Sequence, residues 1–224
     1  MIRNRLSELL SERGLKTSRV ALEVGIARSS LTSMIQNDSE MIRYDAIDKL
    51  CNYLNITPHQ FFDYSPLTFN FTLDEDPEID VKEILFELYL NLKDGIKINK
   101  FKFDILIDIY DESHNKIDHD LEITYDRFQK NNKGKYDLVF KVINENSEEN
   151  KILKTSIDTL SPGLKNVLFK KIQKQITTYV IKHLKIQLDD IDNVTLVNGD
   201  SEISLHKELE NLNCYLESDI FTEY

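Results

Sequence analysis

The chain has no tryptophan, four prolines, two cysteines and six glycines, and no two glycines lie within ten residues of each other. That spacing excludes the Gly-x-Gly-x-x-Gly turn of a dinucleotide site and the glycine-rich loop that cradles phosphates. Cys51 and Cys214 are too far apart in sequence for metal-ligand spacing and too few for a disulfide scaffold, so they read as reduced, partly buried thiols. No run of about 18 apolar residues is present, and the opening Met1-Ile2-Arg3-Asn4-Arg5-Leu6 leads straight into an amphipathic segment without a signal-peptide core. A soluble, cytoplasmic protein with no membrane partner is expected. With 41% hydrophobic residues in 224, there is enough apolar side chain for a sizeable core and enough length for two domains.

Charge is unevenly placed. The net charge is −11, which on its face argues against an anionic partner. Residues 1–37, however, carry Arg3, Arg5, Arg13, Lys16, Arg19 and Arg28 against Glu8, Glu12 and Glu23, and residues 1–66 as a whole are neutral. All of the excess acid lies beyond residue 66, where it weakens non-specific attraction to any polyanion.

Residues 25–37, Gly25-Ile26-Ala27-Arg28-Ser29-Ser30-Leu31-Thr32-Ser33-Met34-Ile35-Gln36-Asn37, read as a tight turn followed by a short helix with a polar outer face. Two helices crossing steeply need a small side chain at the crossing and a turn residue that tolerates positive φ; Ala21 and Gly25 meet those needs. Leu31 and Met34 point back toward Val20 and Val24. Arg28, Ser29, Ser30 and Ser33 are then candidates for base edges, with Arg28 able to pair a guanine through two hydrogen bonds. Thr17, Thr32, Gln36 and Asn37 are candidates for phosphates. Serine readers discriminate little one by one, so DNA shape should contribute.

Residues 17–37 resemble the helix-turn-helix of the Cro and lambda-repressor type, the XRE family, and the resemblance extends over roughly residues 1–64. Val20, Ala21, Gly25, Ile26, Ser29, Ser30, Leu31, Thr32 and Met34 meet the family pattern. A second block, residues 45–62 with Leu50, Leu54, Ile56, Pro58 and Phe61, resembles the family's closing helices. Three positions depart. Ala27 stands where a Ser commonly caps the recognition helix, Thr17 where a Gln commonly meets a phosphate, and Asn37 where a Gly commonly follows.

Helices are expected over residues 2–13, 17–24, 28–36, 43–54 and a short one from Thr57-Pro58, closing a five-helix all-α domain at residues 1–66. Beyond Tyr64-Ser65-Pro66 the apolar period shifts to two. Strands are expected at 68–74, 83–93 with a turn at Lys93-Asp94-Gly95, 101–110, 121–125, 136–144 and, more weakly, 152–157. Asn131-Asn132-Lys133-Gly134 reads as a connecting turn. A long helix from Ser161-Pro162-Gly163 to about residue 186 bears an apolar stripe, then a strand at 194–197 and a last helix at 201–212 capped by Ser201. Residues 67–224 are thus expected to form an α+β domain, an antiparallel sheet covered by one or two helices, for oligomerisation or signal reception.

Lys165, Lys170, Lys171, Lys174, Lys182 and Lys185 load the long helix, and no acid interrupts residues 161–188. A solvated face is the ordinary explanation; docking on an acidic partner or a second DNA contact is the sharper one. His114 and His119 lie among Asp111, Glu112, Asp118 and Asp120, a pattern expected of a solvated turn rather than a metal site. Some repressors of this family cleave themselves at an Ala-Gly or Cys-Gly bond; here the glycines follow Arg13, Val24, Asp94, Lys133, Pro162 and Asn198, so that route is not expected. No catalytic dyad, cofactor or metal site is expected. The reading is a sequence-specific regulator, a repressor acting as a homodimer on a palindromic double-stranded DNA site. From the family, a phage or mobile-element repressor switched by an antirepressor or another protein partner on the second domain fits. The alternative is an antitoxin-like or adaptor module that neutralises a partner and regulates its own operon.

Overall fold

The structure, a computed structural model, describes residues 1–39, 41–83, 96–130, 136–188, 195–198, 201–204 and 209–222. The N-terminal part, the head, comprises β1 (Ile2–Asn4), α1 (Leu6–Glu12), α2 (Thr17–Val24), α3 (Arg28–Gln36), α4 (Tyr44–Leu54), α5 (Pro58–Phe61) and β2 (Phe62–Tyr64). Leu6, Leu9 and Leu10 of α1, Val20 and Ala21 of α2, Leu31 and Met34 of α3, and Leu50, Cys51 and Leu54 of α4 close around Phe61 in one apolar cluster. α5 opens with a capping box: Thr57 accepts from the Gln60 backbone, Gln60 reaches back to Thr57, and Pro58 takes the first helical position.

The head is not all-α, because the helix expected from residue 2 begins only at Leu6. Residues 2–4 instead pair antiparallel with β2, with Arg3 opposite Asp63. Asn4 decides the change of conformation: its Oδ1 accepts the Leu6 N–H at 3.0 Å, a local bond that competes with helix at residue 4 and opens α1 two residues on.

The remainder, the body, comprises β3 (Thr68–Leu73), β4 (Glu78–Glu83), β5 (Ile96–Tyr110), β6 (Lys116–Lys130), β7 (Tyr136–Val142), α6 (Glu148–Asp158), α7 (Pro162–Gln187), β8 (Thr195–Asn198), β9 (Ser201–Ser204) and β10 (Asn213–Glu217). The main sheet runs β10-β7-β6-β5, and β3 and β4 share the far edge of β5. Phe101, Phe103, Ile105, Ile107 and Ile109 alternate onto the inner face of β5, joined by Leu121 and Ile123 of β6, Leu138 and Phe140 of β7, and Leu216 of β10. α7 lays Leu164, Leu168, Ile172, Ile176, Val180 and Leu184 on that face, one every turn. Each such side chain removed from water stabilises the fold by about 1.5–3 kcal/mol.

Four sequence expectations need correction or qualification. The sheet is mixed, since β10 runs parallel to β7. Residues 152–157 belong to a helix: Ser147 caps it on Asn150, and Leu153 and Ile157 share one buried face. Residues 201–204 are a strand paired with β8 rather than the start of a helix, and Leu209 and Leu212 further on are buried in the core. The strand expected at 83–93 is seen only at its first residue, as the end of β4; its continuation, the Lys93-Asp94-Gly95 turn and Asn131 to Gly134 lie outside the described residues. Among the described residues no helix is long and apolar enough to cross a membrane. Both cysteines are free and buried, and burial pushes their thiols up.

Head and body meet at β1. Arg3, only 8% exposed, donates from Nε to Asp63 Oδ2 at 2.9 Å and pairs through Nη2 with Glu8 at 2.6 Å. Ser161, which caps α7 by accepting from the Leu164 N–H, also donates to that Asp63 oxygen. The guanidinium lies where the side chain of residue 163 would be: a Cβ there would sit 1.8 Å from Arg3 Cζ. Glycine at the start of α7 is therefore what lets the body's long helix close on the head.

Two outcomes follow from these contacts. Gly163→Ala would gain about 0.5–1 kcal/mol in helix propensity but displace the Arg3 guanidinium from charged partners, at about 1.5–3 kcal/mol. The net expectation is a lower urea midpoint and faster hydrogen exchange in β1 and β2; an unchanged midpoint and exchange pattern would show that Arg3 does not hold the two parts together. Separately, His119, buried on the inner side of β6, is held below the usual imidazole range by burial, against weaker upward pulls from Glu149, Asp118 and Asp120. His183 is lowered by burial and by Lys182, against Asp74 and Asp76. The unfolded chain then binds more protons as the pH falls through about 6.5, so stability is full above that pH and declines below it. The urea midpoint should drop between pH 8 and 5.5, and His119→Gln should flatten part of that drop; parallel profiles for the two proteins would contradict it.

Candidate nucleic-acid interface

α2 stops at Gly25, which takes φ +70°, and the Ile26 N–H returns to the Ala21 carbonyl at 3.0 Å. A side chain at residue 25 would be strained in this left-handed conformation. Ala21 is buried beneath the turn, and Leu31 and Met34 seat α3 against Val20. With those two inward, helical spacing sets Arg28, Thr32 and Gln36 in one outer row and Ser29 with Ser33 in the next. Arg28, Ser29, Ser30 and Gln36 are exposed, and Thr32 and Ser33 half-buried.

Two of the candidates, Thr32 and Asn37, have their side-chain hydrogen-bonding capacity committed. Thr32 Oγ1 donates back to the Arg28 carbonyl at 2.8 Å. Asn37, the C-cap of α3 at φ +56°, accepts from the Asn4 N–H and Nδ2 at 2.8 and 2.9 Å and donates to the Asn4 carbonyl at 3.1 Å. Asn4 also donates to the Met34 carbonyl at 2.8 Å, so Asn37 and β1 together anchor the end of α3. Thr17 is the first residue of α2, half-buried. At the other end of α3, Ala27 is the N-cap and supplies no side-chain acceptor.

Beside α3 lies a groove of about 420 Å³. Ser30 and Ser33 line one wall and Met41, Arg43 and Lys49 the other. Met41 and Tyr44 are each 90% exposed, an unusual state for such side chains, and Arg43 pairs with Asp45 at 2.9 Å on the surface. The signal that could have found them is the exposed apolar and basic character of residues 41–44 immediately after the recognition segment. On the opposite flank, Arg19 pairs with Glu23 at 2.8 Å and Tyr53 donates to the same carboxylate. Those two contacts hold the Glu23 carboxyl below its usual range and tie α2 to α4.

Two short helices locked about a left-handed turn, the second with polar side chains outward, form a helix-turn-helix DNA-binding head. Residues 5–66 match the family model of the Cro/C1-type HTH DNA-binding domain. The head belongs to that family, and the chain is a DNA-binding transcription regulator. Searches of curated proteins and of solved structures gave no significant match for the chain.

The open N-terminus of α3 yields a direct test. Ala27 already has the extended ψ of 134° that a capping residue adopts. Ala27→Ser should raise the urea midpoint by the equivalent of about 1 kcal/mol; no gain would mean that the first-turn N–H groups are satisfied in another way.

Proposed function

We propose that this regulator is a non-enzymatic cytoplasmic repressor that binds a palindromic operator as a homodimer, with the body as its dimerisation or signal-receiving part. The supporting observation is the outer face of α3, where Arg28, Ser29, Ser33 and Gln36 stand on a helix whose C-terminal end is anchored by Asn37 and Asn4. Two copies of such a helix about 34 Å apart enter successive major grooves on one side of the duplex. Arg28 is assigned to a guanine edge, the serines to neighbouring base edges, and Gln36, Thr17 and Arg43 to phosphates. Thr32 and Asn37 take positioning roles, since their side chains already serve α3. The acidic body holds down non-specific affinity, so that operator contacts dominate at physiological salt. A protein antirepressor or a small ligand acting on the body would supply the switch.

The test is selection of binding fragments from a random duplex pool, followed by footprinting. Wild type should enrich one inverted-repeat sequence, and Arg28→Ala with Ser29→Ala should lose the footprint while keeping the oligomer. A footprint that survives would show the base contacts wrongly assigned. Failure to enrich any sequence, together with co-purification of a stoichiometric protein, would favour the antitoxin-like or adaptor reading.

A further inference from the structure

The lysines of α7 are not equivalent. Lys165 pairs with Asp158 at 2.6 Å and Lys185 with Glu210 at 2.8 Å. Lys171 is committed to the sheet edge, donating to the Phe69 carbonyl at 2.8 Å and lying over the Phe71 ring at 5.4 Å. Lys170 and Lys174 are exposed, and their ammonium groups make no hydrogen bond or ion pair among the described residues. They sit four residues apart on one face, a rise of about 6 Å.

Lys170 does not stand on a remote surface. A cleft of about 280 Å³ separates the first turns of α7 from the end of α3, and Lys170 and Asn166 line it together with Gln36 and Asn37. The Arg3 guanidinium also lines the cleft, beneath Gly163, so the spacing between the two helices is set by the same contact that joins head to body.

We propose that Lys170 and Lys174 carry the phosphate-binding track of the recognition helix onto the body, so that DNA bound by the head also meets the long helix of the second domain. This rests on the DNA-binding reading of the head. Gln36 is the last outward side chain of α3, and the next unneutralised cation across the cleft is Lys170. Absence of acid along α7 leaves the approach of a polyanion unopposed on that helix. The body, although acidic overall, thereby contributes a local basic edge where the head needs one.

The experiment uses the full-length chain, the fragment enriched by wild type from a random duplex pool, and the unselected pool as a second probe, with Kd measured from 50 to 200 mM salt. Lys170→Ala with Lys174→Ala should lower the slope of log K against log salt by about one per lysine per bound protomer on both probes, because these contacts carry no sequence information. The variant's affinity deficit at 50 mM salt should shrink about tenfold per protomer by 200 mM. Lys182→Ala, near the far end of the same helix, should leave the slope at the wild-type value. An unchanged slope in the double variant, with wild type still enriching a fragment, overturns the proposal and leaves the head's role intact. Equal losses in the double variant and in Lys182→Ala also overturn it, as a general charge effect. If wild type retains neither probe, the DNA-binding reading and this extension fall together.

Discussion

One short strand holds the molecule's two parts in register. Successive side chains of a strand point to opposite sides, and β1 uses that alternation at adjacent residues. Arg3 turns to the body, beneath Gly163 and beside Asp63, and Asn4 turns to the head, where it binds the last turn of α3 and the Asn37 amide. The charged side chain is buried but paired on two sides, by Asp63 and Glu8, which offsets the cost of taking a guanidinium out of water. A displacement at the start of α7 is thus two residues away from the anchor of the recognition helix, through a chain of hydrogen bonds rather than through a flexible linker.

That arrangement gives the recognition helix unequal ends. Its C-terminus is held by Asn37 and Asn4, while its N-terminus opens with Ala27 and no side-chain cap. An unsatisfied first turn costs stability in the free protein, but it leaves backbone donors and the positive end of the helix dipole next to Arg28, where an anionic ligand would approach. The rigid end faces the body and the open end faces outward.

Charge follows the same division of labour. The head is neutral overall and exposes Arg28 on α3 and Arg43 just before α4; the body holds the whole acidic excess. Much of that acid lies on the outer face of the sheet, in pairs such as Lys116 with Asp108 and Asp118 and Arg127 with Glu217. Such exposed pairs contribute little to stability individually. Pairing cancels those charges locally and leaves the net excess of acid to set the long-range potential, which repels a polyanion.

Local pattern was enough to read the recognition segment, because Ala21, Gly25, Leu31 and Met34 specify a turn and an inward face by sterics and period alone. It was also enough for the alternation of β5 and the four-residue stripe of α7. What it could not show depends on partners distant in the chain. Residues 2–4 are extended because β2 pairs with them, residues 213–217 form a strand because β7 offers a parallel edge, and residues 201–204 pair with β8 instead of coiling. The same holds for function. Six lysines of one helix look alike in sequence; only the folded chain distinguishes Lys171, committed to the Phe69 carbonyl, from Lys170, placed across a narrow cleft from Gln36. Periodicity records which face a residue occupies, whereas pairing and neutralisation are decided by what the rest of the chain brings against that face.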